Sequence, residues 1–181
     1  MDSAPVLPAP GHGKPQFWDL MFLLLLAACL LGAIYVGVLA YREGAKTEVT
    51  KRSGEAWLEW FSQQSSERST DAYPHPACAA RPGAKWGSCL AHLIGEGGPL
   101  HGQRNAFNGG PIRTLGGCGA ADRSVAGHVA LELVTPLPPG AAIPFIVVPL
   151  AEDASIAEKV TIRVSICELD GSAIRVGETE F

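Results

Sequence analysis

Residues 17–41 read FWDLMFLLLLAACLLGAIYVGVLAY. Asp19 is the one charge in that stretch, and Leu20 to Tyr41 carry none. As a helix, the uncharged run extends about 33 Å at 1.5 Å per residue. That length matches the roughly 30 Å hydrocarbon core of a bilayer. A secretory signal would show an apolar run of only about 7–15 residues behind a basic start. Here the run is longer and Lys14 alone precedes it. We therefore expect a membrane-spanning helix over 17–41.

Working outward, the 181-residue chain is 47% apolar and only 18% charged, below the roughly 25% charge of a soluble globular protein. The excess sits in the span, and a Gly- and Pro-rich domain of about 140 residues is left, ordinary in size. The balance argues against a soluble cytosolic enzyme and a multi-span transporter. A net charge of −4 argues against nucleic acid as a partner, because such binders show a basic stripe or patch. Residues 1–16, with Pro5, Pro8, Pro10 and Pro15, read as a short flexible leader.

The helical pattern continues over 42–66. Tyr41, Ala45, Val49, Ala56, Trp57, Trp60 and Phe61 recur at spacings near three and four, predicting one apolar stripe. Arg42, Glu43, Lys46, Lys51, Arg52 and Glu59 lie opposite. Gly44 and Gly54 each weaken such a helix by about 1 kcal/mol relative to Ala. The expectation is a continuous helix from about Phe17 to Gln64, half in lipid and half amphipathic outside it.

Residues 67–126 are rich in Gly, Pro and Ser and read as a long connecting loop. Within it, Cys89–Ile94 forms one or two helical turns before Gly95 and Gly97-Gly98-Pro99 end them. A loop of that length needs cross-links, which cysteines supply. Residues 127–181 read as strand. His128–Val134 and Ile143–Val148 are β-rich and separated by Pro138-Pro139-Gly140. Lys159–Cys167 alternates with period two, Asp170-Gly171 is a hairpin turn, and Ser172–Phe181 returns. The fold class expected is α+β: the long N-terminal helix packed on a C-terminal antiparallel sheet of about four strands. That sheet has one apolar face in need of a cover, and Trp57, Trp60 and Phe61 are the candidates.

Orientation is read from two opposing signals. Arg42, Lys46, Lys51 and Arg52 follow the span closely, which by the positive-inside rule favours a cytoplasmic domain. Cys78, Cys89, Cys118 and Cys167 all lie in the domain, and four cysteines in a loop-rich domain read as two disulfides in an oxidising compartment. We give the cysteines precedence and expect the domain to be extracytoplasmic, on a single-pass anchor. Spacing leaves all three pairings open. His75 and His92 flank Cys78 and Cys89, but a disulfide is preferred to a metal site there, since no carboxylate is near to orient a histidine. Gly116-Gly117-Cys118-Gly119 lacks a base, and Leu115-Gly116-Gly117 is too short to cradle phosphate. No catalytic residue, metal ligand or cofactor is expected.

Ala28-x-x-x-Gly32 and Ala33-x-x-x-Gly37 are small-xxx-small spacings that allow close helix approach in lipid. Asp19, at the lip of the apolar run, is an ionisable group in an expensive position. Its segment, Trp18-Asp19-Leu20-Met21, stands downstream of Gly13-Lys14. Asn105-Ala106-Phe107-Asn108-Gly109-Gly110 lies in the loop region.

In the order of its parts and in these residues, the chain resembles the type IV pilin and pseudopilin superfamily. Asp19 stands where the family's acidic residue is usually Glu, and the Asn105–Gly110 segment is similar to an Asn-Pro-Phe-Gly turn. The resemblance implies processing after Gly13 by a prepilin peptidase. It also implies a C-terminal disulfide region closed by Cys118 and Cys167, and pairing of Asp19 with the freed amine of a neighbour. Two departures stand: cleavage after Gly13 makes Asp19 sixth, fifth only if the cut follows Lys14, and Lys14 is not apolar. The expected function is a membrane-anchored, extracytoplasmic structural subunit assembling through Asp19, Ala28, Gly32, Ala33 and Gly37. Its partners would be membrane lipid and other copies or membrane-complex subunits. The alternative is a single-span accessory subunit of a membrane complex, its outer domain binding a partner.

Overall fold

A computed structural model describes residues 17–119 and 122–181. The leader over 1–16, with Gly13 and Lys14, lies outside the described residues. The chain divides into two units, Met1–Arg42 and Glu43–Phe181. The segments expected over 42–66, 67–126 and 127–181 fold together in the second.

Helix α1 runs Phe17–Gln64 without a break, as the spacing predicts. In the first unit its side chains are exposed, from Phe17 and Trp18 through Leu30, Leu31 and Val38. In the second unit its buried residues are Thr50, Gly54, Trp57, Trp60 and Phe61. The predicted stripe is therefore correct from Trp57 onward and misphased before it. Tyr41, Ala45 and Val49 are exposed, and Thr50 and Gly54 are buried instead, Gly54 against the sheet. The physical reason is close approach. A Cβ on Gly54 would stand 2.8 Å from Val176 Cγ2 and 2.9 Å from Ile166 Cγ2, so the sheet sits against bare backbone there.

The sheet has five strands: β1 Thr114–Leu115, β2 Val129–Pro136, β3 Phe145–Pro149, β4 Thr161–Cys167 and β5 Ala173–Glu180. Its path is β1-β2-β4-β5, with β3 also paired to β2. All pairings are antiparallel except β1 with β2, in the register Thr114↔Val129 and Leu115↔Ala130. β1 is the addition to the four strands expected. It comes from the stretch read as loop, and its two residues are too few to show periodicity. The β4–β5 turn is the expected Asp170-Gly171 hairpin. Gly171 has φ +82°, and Asp170 Oδ1 accepts the Ser172 amide at 2.8 Å. Hydrogen bonding to Ser172, its side chain first and then its backbone amide, holds the Asp170 carboxyl below its usual range.

Val129, Leu131, Ile162 and Val164 on the sheet and Trp57, Trp60 and Phe61 on α1 belong to one buried cluster. The aromatic stripe thus covers the apolar face of the sheet, as expected. Phe181 is buried among Trp60, Phe61 and Trp86, its ring 5.0–5.6 Å from theirs. The guanidinium of the buried Arg68 lies 4.6 Å from the Phe181 centroid, and its Nη2 donates to the Glu158 carbonyl at 2.5 Å.

Residues 67–126 are more ordered than the loop expected. They hold helix α2, Trp86–Ile94, which begins three residues before the predicted turns, and 3₁₀ turns at Pro76–Cys78 and Arg123–Val125. Asn105 is buried and organises the segment that follows. Its Oδ1 accepts from Phe107 N at 2.8 Å and its Nδ2 donates to the Ala126 carbonyl at 2.7 Å. Gly127, at φ +76°, is required beside it, since a Cβ there would stand 2.2 Å from Asn105 Oδ1.

Candidate functional site

Two regions carry the residues singled out by sequence: the exposed apolar half of α1 and the cross-linked loops of the domain. Asp19 lies in the first turn of α1, where a carboxylate complements the positive end of the helix dipole. Ala28, Gly32, Ala33 and Gly37 are all exposed. A Cβ on Gly32 or Gly37 would meet nothing within 4 Å, so these positions are free of packing within the chain. At 100° per residue, Ala28 and Gly32 form one edge and Ala33 and Gly37 another. Cys29, the free cysteine among the described residues, falls between them. The helix is long and apolar enough to cross a membrane.

In the domain the four cysteines form two disulfides, Cys78–Cys89 and Cys118–Cys167. The second ties the loop after β1 to the end of β4, the pairing that the family resemblance implies. The first joins the 3₁₀ turn to α2 and closes a loop with a sequence separation of 11. Sequence spacing could not choose between these pairings, because the choice depends on which loops the fold brings together.

The Cys78–Cys89 bridge also brings two histidines together. His75 precedes the 3₁₀ turn and His92 is in the last turn of α2. His75 Nδ1 lies 3.1 Å from His92 Nε2, with ring centroids 5.4 Å apart. Both are half-buried. Trp60 and Tyr73 pack on His75, at 5.6 and 5.7 Å between centroids. Burial, and then the neighbouring His92, holds His75 below the usual histidine range. The signal for this pair was present in the sequence as mirrored His-x-x-Cys and Cys-x-x-His. Among the described residues, no group of three or more His, Cys, Asp or Glu side chains is arranged to hold a metal ion.

His128 plays a different part. Its Nδ1 accepts the Arg113 amide at 3.0 Å, which ties the chain entering β1 to the start of β2. Burial, then Arg113, lowers its pKa. A cavity of about 270 Å³ lined by Ile94, Leu100, His101, Gln103, Arg104 and Ile112 is smaller than the roughly 300–1,000 Å³ of small-molecule sites. Gln103 in its wall accepts from Trp57 Nε1 at 3.1 Å, so that side chain is engaged in holding the core.

No protein family, characterised protein or solved structure matches the chain. The functional reading therefore rests on its own residues and geometry.

Proposed function

We propose that this protein is a membrane-anchored, extracytoplasmic structural subunit of pilin-like architecture, assembling laterally through α1. One observation carries the reading. A single helix supplies both an exposed, apolar length over residues 17–41 and the aromatic residues that cover an antiparallel sheet. A purely soluble domain has no use for the first part, since exposing it to water costs about 25 cal/mol for each Å² of apolar surface. Lipid and neighbouring helices relieve that cost. In such an assembly the small residues Ala28, Gly32, Ala33 and Gly37 permit close backbone approach, and Asp19 supplies a carboxylate at the rim of the apolar zone.

The extracytoplasmic placement is supported by the two disulfides, which persist in oxidising compartments. The reading assigns the protein no catalytic step. Its chemistry is association, and the disulfides stiffen the domain that the helix carries.

Cys29 provides the test. Mild oxidation of the full chain in its native membrane should join neighbouring copies through Cys29, giving a dimer on non-reducing gels. Ala28→Leu with Gly32→Leu, or Ala33→Leu with Gly37→Leu, should reduce that yield at equal protein levels. A chain that stays monomeric at Cys29 while cross-linking uniformly to a different subunit would overturn self-assembly and favour the accessory-subunit alternative.

A further inference from the structure

We propose that His75 and His92 form a two-imidazole site for a borderline divalent transition metal, with Cu²⁺ the tightest of the class. The 3.1 Å between His75 Nδ1 and His92 Nε2 is the first support. With metal–nitrogen bonds of about 2.0–2.1 Å, nitrogens 3.1 Å apart subtend about 98° at a shared metal. That angle lies between the square-planar and tetrahedral values, so the pair fits two neighbouring positions of one coordination sphere. In the metal-free protein this contact is a ring N–H···N hydrogen bond whose direction depends on the tautomer. The donor ring must therefore carry its proton on its other nitrogen when metal binds, and both rings turn about χ2, a soft torsion, to face the ion. Imidazole ligands suit Cu, Ni and Zn, and affinity at such sites peaks at Cu²⁺.

Preorganisation is the second support. Each histidine is three residues from one half of the Cys78–Cys89 bridge. His75 is further held by Trp60 and Tyr73, so little freedom is lost on binding. Both histidines are half-buried rather than enclosed, so water would fill the remaining positions. The disulfide consumes the two thiols, so the ligand set is His₂ and solvent, independent of the assembly described above.

The test uses the full chain in detergent with both disulfides intact and Cys29→Ser, so that no thiol reduces the probe. CuCl₂ is titrated while tryptophan emission is followed, because Trp60 lies beside His75 and a bound Cu²⁺ quenches it. We expect saturable quenching with one Cu²⁺, and electron paramagnetic resonance showing two imidazole nitrogen ligands. His75→Gln and His92→Gln should each weaken binding by at least the roughly 10–100-fold that loss of an outer-shell partner costs. His101→Gln should leave it unchanged, and near-ultraviolet circular dichroism should show each variant folded. Quenching that survives in both folded variants, through His12, His128 or the terminal amine, would overturn the site. So would the absence of saturable binding.

Discussion

Replacing Gly44 and Gly54 by alanine should move stability in opposite directions, although both lie in α1. Within a helix alanine is favoured over glycine by about 1 kcal/mol. At Gly44 a new Cβ meets no atom within 4 Å, so Gly44→Ala should gain up to that amount. At Gly54 the Cβ meets Val176 Cγ2 at 2.8 Å, and reaching an ordinary 3.4 Å contact needs an opening of about 0.6 Å. Val176 and Ile166 are β-branched and stiff at χ1, so helix and sheet must part. Overpacking of this kind costs about 1–3 kcal/mol. Set against the helical gain, Gly54→Ala should destabilise by about 1 kcal/mol, leaving the two variants about 2 kcal/mol apart. With a urea dependence of about 2 kcal/mol/M, their midpoints should separate by about 1 M. Urea unfolding of the full chain in detergent, followed by tryptophan emission, reads this directly. Equal midpoints, or Gly54→Ala as the more stable variant, would refute the close approach of helix and sheet.

Other expectations follow from the same core. Trp57 is fully buried and donates to Gln103, so Trp57→Ala should cost about 3–5 kcal/mol, and calorimetry showing a small loss would contradict its place in the cluster. The Cys118–Cys167 bridge spans 49 residues and Cys78–Cys89 spans 11. The chain-entropy relation then gives about 4 and about 3 kcal/mol respectively, so the Cys118→Ala/Cys167→Ala protein should unfold at lower urea than the Cys78→Ala/Cys89→Ala protein. Folding lowers the pKa of His128, so the unfolded chain takes up protons first as pH falls below about 6.5. Stability should therefore be complete above that pH and decline below it. Urea midpoints at pH 7.5 and 5.5 check this, and His128→Asn should flatten the slope.

The helix and most of the sheet were legible because their signals are local. An uncharged run fixes α1, period two marks β4, and Asp170-Gly171 marks its turn. The phase of α1 before Trp57 was not legible, because Gly54 is buried by strands more than a hundred residues away. β1 escaped for a related reason: two residues pair with β2 only because the loop around Asn105 delivers them. At the candidate sites, the small residues of α1 could be read from spacing alone. The histidine pair left a signal in its mirrored spacing around Cys78 and Cys89, but its contact could not be read, since spacing leaves the pairing of those cysteines open.

The most direct test of the pilin-like reading is the intact mass and N-terminal sequence of the protein isolated from its native membrane. The account predicts a mature chain beginning at Lys14 or Pro15, which places Asp19 within a few residues of the freed amine. A chain still carrying Met1 would contradict it and leave the anchored accessory subunit as the better description.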